Sequence, residues 1–200
     1  MLAAALTLVA GCGGTHHAAA HAPAPAAAQL HGLVPQPLPR KPSFTLTDTA
    51  GRPFSFTART RGKLAYLYFG YTHCPDACPT TMADLAAALH RQPAVVRRRV
   101  EVVFVTVDPR RDTERVLRAW LNHFNHAFVG LTGTQNQIAA VEREAGVPVA
   151  PPEKVTGKKY SVAHSSLVLP FSPDGRAHVV YTQGFHIVDY AHDMPLLLVR

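Results

Sequence analysis

Charge is scarce in this chain. Asp, Glu, Lys and Arg together make up 16% of its 200 residues, with 20 basic against 13 acidic side chains. The formal excess of +7 would suit an acidic partner, anionic lipid or nucleic acid. The cations form no stripe, however: Arg97, Arg98 and Arg99 make one cluster, Lys158 and Lys159 another. No base-stacking aromatics alternate with them and no nucleic-acid-binding motif is present, so nucleic acid is not an expected partner. Cysteine is limited to three residues, Cys12, Cys74 and Cys78. A second cysteine pair is missing, which argues against structural zinc, a metal that normally takes four protein ligands. The N-terminal apolar run, residues 2–10, is far shorter than the about 20 residues a membrane-spanning helix needs.

That run leads directly to Gly11 and Cys12, and the string LVAGC resembles a bacterial lipobox. The expectation is a signal peptide over residues 1–12, with Cys12 acylated as the mature N-terminus. The protein is then extracytoplasmic, a bacterial membrane-anchored lipoprotein on the periplasmic side. No Lys or Arg precedes the apolar run, so the true start is expected upstream. The alternative is an uncleaved hydrophobic tail with an incidental cysteine. Residues 13–42 are dominated by Ala, Pro, Gly and His, a composition that buries too little to order itself. They read as a flexible tether, whose His16, His17, His21 and His31 are either solvated or weak metal chelators.

From Ser43 to the C-terminus, residues 43–200, the pattern is globular. FTLTDTAGRPFSF alternates around Ala50-Gly51, predicting an N-terminal β-hairpin. KLAYLYFGY and VEVVFVTVD are continuous apolar runs, the signature of strands buried on both faces. Helices are predicted over residues 80–90, from an Asp112 or Thr113 cap to about His123, and over residues 135–145, ended by Gly146. AFVGLTG reads as a short strand and residues 165–182 as a hairpin turning at SPDG. A short C-terminal helix follows, with Pro195 obscuring its boundary. Alternating strands and helices that end in an antiparallel hairpin predict an α/β fold with a mixed sheet.

The chemistry resides in YTHCPDACPTTM. Cys74 and Cys78 lie four residues apart, each followed by a proline. A residue before proline avoids the α region, and proline suits the first helical position. This predicts Cys78 as the helix N-cap, with a thiol pKa lowered by the helix terminus. Two thiols so placed allow a structural disulfide, a redox dithiol or a soft-metal site, since soft thiolates select Cu(I). Two sulfurs need a third donor; the candidates are His73, Met82 and His164. Met82 is expected to pack in the core. Taken by its position alone, His164 is equally a surface residue or a ligand.

The ordered strings FGYTHCPDACPTTMADL, VTVDPRRDT, FVGLTGTQNQI and AHSSLVLPFSPDG resemble the Sco/SenC family of copper-binding proteins. The resemblance runs from about Ser43 to the C-terminus. It implies a thioredoxin-like fold in which Cys74, Cys78 and His164 bind one copper ion, Cu(I) or Cu(II). It also implies that Cys74 and Cys78 can form a redox disulfide. Asp76 and Asp108 match the family's carboxylates near the site. Ala163 departs from it, standing where many relatives carry Asp before the histidine.

The function implied is a metallochaperone rather than a turnover enzyme, delivering copper to, or reducing thiols at, the copper site of cytochrome c oxidase. The partners implied are cytochrome c oxidase subunit II or another copper acceptor, other copper chaperones and thioredoxin-like reductants. The rival reading is an extracytoplasmic thiol-disulfide oxidoreductase acting on partner cysteines; a weaker one is a peroxiredoxin-like peroxidase.

Overall fold

The computed structural model describes residues 29–150 and 160–200. In chain order the elements are β1 (Thr45–Asp48), β2 (Pro53–Ser55), α1 (Phe56–Arg59), β3 (Leu64–Gly70), α2 (Ala77–His90), α3 (Ala94–Arg97), β4 (Val100–Thr106), α4 (Glu114–Asn122), β5 (Val129–Thr132), α5 (Gln135–Glu144), β6 (Val168–Phe171) and α6 (Ile187–Leu197). Six strands form one sheet in the order β2-β1-β5-β4-β3-β6. Strands β3, β4 and β5 are parallel; β1 pairs antiparallel with β2 and β5, and β6 antiparallel with β3. The mixed α/β sheet and its added N-terminal hairpin agree with the pattern in the sequence.

Every residue of β3 is buried, and β4 is buried at all but Glu101. Helices cover these strands, so their side chains on both faces leave water, each large apolar one contributing about 1.5–3 kcal/mol. Helix α2 packs beside α6, and α4 lies on β5. Pro195 sits inside α6 and leaves the Ala191 carbonyl without its intrahelical donor. The Gln92 side-chain amide replaces that donor, reaching the Ala191 oxygen at 2.8 Å. The carbonyl that the proline orphans is therefore satisfied from outside the helix.

Two sequence expectations are corrected. The described part of the expected tether is docked from residue 31 onward. His31 N donates to Asp193 Oδ1 at 2.9 Å, Gly32 N donates to Asp193 Oδ2 at 3.0 Å, and Leu33 bridges Val180. Composition suggested nothing to pack against, because the partner lies about 160 residues away in sequence, at separations of 161 and 162. Secondly, Thr113 alone caps α4, its hydroxyl accepting from Val116 N at 3.3 Å. Asp112 is fully buried and holds a different group, described below.

Candidate metal centre

Strand β3 ends at Gly70, and the chain turns at once, with Cys74 N donating to the Tyr71 carbonyl at 3.1 Å. Helix α2 then starts at Ala77, with Asp76 as N-cap. Cys78 is therefore in the first helical turn, not at the cap as the proline pattern predicts. The first four N–H groups of a helix have no intrahelical acceptor, so Pro79 at the third position costs no more than it would at the first. The Cys78 amide finds its own acceptor, Cys74 Sγ, at 3.4 Å. Both thiols are free and buried.

His164 enters from the opposite side, four residues before β6, which runs antiparallel beside β3. Its Nδ1 lies 3.0 Å from the Ser165 carbonyl oxygen. A carbonyl can only accept, so Nδ1 is the donor, and in the neutral ring this leaves Nε2 with its lone pair. That nitrogen is 3.6 Å from Cys74 Sγ and 3.5 Å from Cys78 Sγ. Tyr71 meets the imidazole edge-to-face at 5.4 Å between ring centres, and Tyr68 does so at 6.4 Å. Among the described residues the ring is thus held by a backbone carbonyl and two tyrosine rings, with no carboxylate bonded to it.

The donor set fits one soft ion. Bonds of about 2.3 Å to sulfur and about 2.0 Å to nitrogen, at an angle of about 110°, put the donor atoms about 3.5 Å apart. The three ligand atoms all lie within 4.8 Å of one another. With no ion, the interior governs the thiol of Cys78. Burial pushes its pKa well up, outweighing bonds from the Tyr71 backbone and the Tyr68 hydroxyl. The lowering expected from a helix N-terminus is therefore overturned: desolvation of the thiolate is the larger effect.

Several residues that hold this site were not foreseen. Gly70 backs Cys78: a Cβ there would stand 2.7 Å from Cys78 Sγ and 3.0 Å from the Phe104 ring. Tyr68 Oη lies 3.7 Å from the same sulfur as a donor. Asp112 accepts from Thr72 N at 2.9 Å, Thr72 Oγ1 at 2.6 Å and Thr106 Oγ1 at 2.7 Å, so it fixes the start of the loop. A glycine closing a buried strand before a cysteine loop was the one available signal.

Of the remaining candidates, Met82 is fully buried in the core. The side chain of His73 is half exposed and lies 3.8 Å from Asp112, away from the three-donor cluster. Asp108 pairs with Arg111 and accepts from Tyr160 Oη at 2.8 Å. Arg111 in turn stacks on Tyr160, 3.6 Å from its ring centre, and lies 5.6 Å from that of Tyr71. Asp108 therefore braces the neighbourhood of Tyr71 through Arg111 and does not touch the sulfurs. Asp76 is exposed beside the loop. Cys12 lies outside the described residues.

Fold and site together define a class: a thioredoxin-like domain in which a dithiol loop faces a single imidazole. The chain belongs to the SCO1/SenC family, whose model matches residues 35–196. A protein of Stutzerimonas stutzeri is 37% identical over 147 residues, covering 71% of each chain. The mitochondrial protein SCO2 of Saccharomyces cerevisiae is 35% identical over 66% of this chain. This chain spans about half the length of such mitochondrial relatives, 44% in yeast and 50% in Bos taurus. Among solved structures, copper-bound ScoI of Bradyrhizobium japonicum superposes with a TM-score of 0.70 at 28% identity, covering 79% of this chain and 99% of that one. Apo Sco1 of Thermus thermophilus gives 0.75 at 27% identity, covering 84% and 97%.

Proposed function

We propose that this protein is a copper metallochaperone, a thiol-dependent assembly factor for the copper site of cytochrome c oxidase, with Cys74, Cys78 and His164 as the copper ligands. The observation that carries the reading is Nε2 of His164 standing 3.6 and 3.5 Å from the two cysteine sulfurs, with Nδ1 tied to a backbone carbonyl. A purely structural disulfide has no use for that imidazole. The copper-bound form of the Bradyrhizobium relative supports the same choice of metal.

Copper is the cargo. On loading, the reduced dithiol gives up its protons and two thiolates and the imidazole take the ion. On delivery, thiolates of an acceptor replace the three donors one at a time, and the dithiol is released for another ion. The acceptor on this reading is cytochrome c oxidase subunit II or another thiolate-rich copper site. Other copper chaperones would load the protein, and thioredoxin-like reductants would keep Cys74 and Cys78 reduced. Among the described residues no helix is long and apolar enough to cross a membrane. On this reading the lipobox-like LVAGC string marks Cys12 as the lipid-bearing residue, holding the domain on the periplasmic side after removal of the signal peptide. Anchoring raises the effective concentration near a membrane acceptor.

The test is a copper titration of the reduced protein, followed by metal analysis and absorption spectroscopy. The expected result is a one-to-one complex with a thiolate-to-copper charge-transfer band, absent from Cys74→Ser and Cys78→Ser. A band unchanged in both variants would remove the dithiol from the site. The second reading, a thiol-disulfide oxidoreductase, is favoured by two free thiols held in one short loop. It prevails if the reduced protein binds no copper yet reduces partner disulfides.

A further inference from the structure

The end of the sheet opposite the dithiol loop carries a cavity of about 360 Å³, lined by Arg40, Lys41, Thr57, Arg61, Asp174 and Arg176 among others. Four cations thus face one carboxylate. We propose that Arg40, Lys41, Arg61 and Arg176 form a binding site for a phosphate group.

The backbone brings these charges together. Arg40 and Arg176 are direct partners in an isolated antiparallel bridge. Lys41 N donates to the Gly175 carbonyl, and Ala177 N to that of Pro39, each at 2.9 Å. Like charges directly opposed on paired strands repel. Here the repulsion is only partly offset: among the described residues none of the three arginines has a carboxylate partner, and Asp174 is the one carboxylate in the lining. Asp174 is already engaged, its Oδ1 accepting from Arg176 N at 3.0 Å and its Oδ2 lying 2.9 Å from His178 Nε2. Half-buried Lys41 donates to the Thr60 carbonyl at 3.4 Å and is attracted by the charge of Asp174 without bonding to it. A tetrahedral oxyanion in the cavity would turn this mutual repulsion into attraction. Guanidinium forks match phosphate oxygens two at a time.

The place of the cavity is fixed by topology. Arg61 and Gly62 come just before β3, whereas the cysteines follow its far end. Strand β6 is antiparallel to β3, with Phe171 opposite Ala65, so the turn bearing Arg176 lies at the same end as Arg61. The seven residues of β3 put roughly 20 Å between the cavity and the dithiol. The phosphate site is therefore separate from the copper reading and does not depend on it. Its ligand is either a free phosphate or phosphomonoester, or the phosphodiester of a phospholipid headgroup.

Two soluble probes distinguish these sources in calorimetric titrations of the full chain: inorganic phosphate, and glycerophosphoglycerol, the deacylated headgroup of phosphatidylglycerol. Saturable one-to-one binding of at least one is expected, and the tighter probe assigns the source. Arg61→Ala combined with Arg176→Ala should weaken it at least about tenfold, given the strength of charged hydrogen bonds. Arg98→Ala with Arg99→Ala removes the same charge outside the cavity and should leave it within about twofold, since only screened long-range attraction is lost. In the unmutated protein, the backbone amide signals of Gly62 and Arg176 should shift on titration. No saturable binding of either probe overturns the proposal. So does equal weakening by the two double variants, which would mark diffuse attraction to a basic surface.

Discussion

The Nδ1 of His164 is bound to the backbone carbonyl of Ser165 at 3.0 Å, and this contact decides what the ring offers the sulfurs. It places the proton on the far side of the imidazole and aims Nε2 at Cys74 and Cys78. A metal-ligating histidine is commonly fixed in this way through its other nitrogen.

Replacing that ring separates the two functional readings. His164→Ala should lower copper affinity by at least about tenfold, as loss of a ligand exceeds the about 10–100-fold cost of losing a mere orienting partner. Exchange with a small-molecule disulfide should stay near that of the unmutated protein. Competition against a copper chelator, run beside an exchange assay, measures both. Unchanged copper affinity would end the role assigned to His164.

Gly70→Ala places a methyl group 2.7 Å from the Cys78 sulfur, with the Phe104 ring only 3.0 Å away. The sulfur has nowhere to retreat inside a packed interior, and overpacking of this kind costs about 1–3 kcal/mol. Lower thermal stability and weaker copper binding should appear together. A variant that melts at the original temperature and binds copper normally would show that the strand end yields more easily than its packing suggests.

Asp112→Ala leaves the Thr72 amide and the hydroxyls of Thr72 and Thr106 without their shared acceptor. Bonds to a buried carboxylate contribute about 1.5–3 kcal/mol each, so a loss of at least about 2 kcal/mol in urea unfolding is expected. Faster amide hydrogen exchange at Thr72 in the folded state should accompany it. Protection at Thr72 equal to that of the parent protein would exclude Asp112 as the clasp of the loop.

The thiol of Cys78 gives a pH dependence of definite sign. Burial raises its pKa in the folded protein above the ordinary thiol value of about 8.5. A raised folded value contributes stability that is fully present below about pH 8.5 and is lost as pH climbs toward that raised value. Melting temperature of the reduced, metal-free protein should therefore fall in alkali, and Cys78→Ala should flatten the slope. Copper has to displace this same proton, so affinity should rise with pH through neutrality, by about tenfold per unit for each proton released. Equal alkaline slopes in parent and variant would remove Cys78 as the cause.

Gly32 closes the N-terminal segment onto the domain. A Cβ there would stand 2.6 Å from that of Val179 and 2.9 Å from the Tyr181 ring. Gly32→Ala should loosen the segment held by Asp193, seen as faster proteolysis between residues 31 and 41 while the domain itself remains folded. An unchanged cleavage rate would mean the strand shifts without undocking.

By itself the sequence determined the order and kind of the longer elements, though not the one-turn helices α1 and α3. The apolar runs at β3 and β4, the alternation at β1 and β2, the Thr113 and Gly146 boundaries and the dithiol loop are all local patterns. Such patterns are written in neighbouring residues and survive being read one window at a time. What only the tertiary structure decided is whatever depends on residues distant in the chain. His164 stands 86 residues from Cys78 and meets it because β6 runs antiparallel beside β3. The pKa direction of Cys78 reversed because burial is a property of the assembled core, not of a helix terminus. Asp112 resembles a cap in sequence, yet Thr72, 40 residues away, claims its carboxylate. Likewise, the composition of residues 31–41 suggested an unpacked tether, and Asp193 docks it by supplying acceptors that no local window contains.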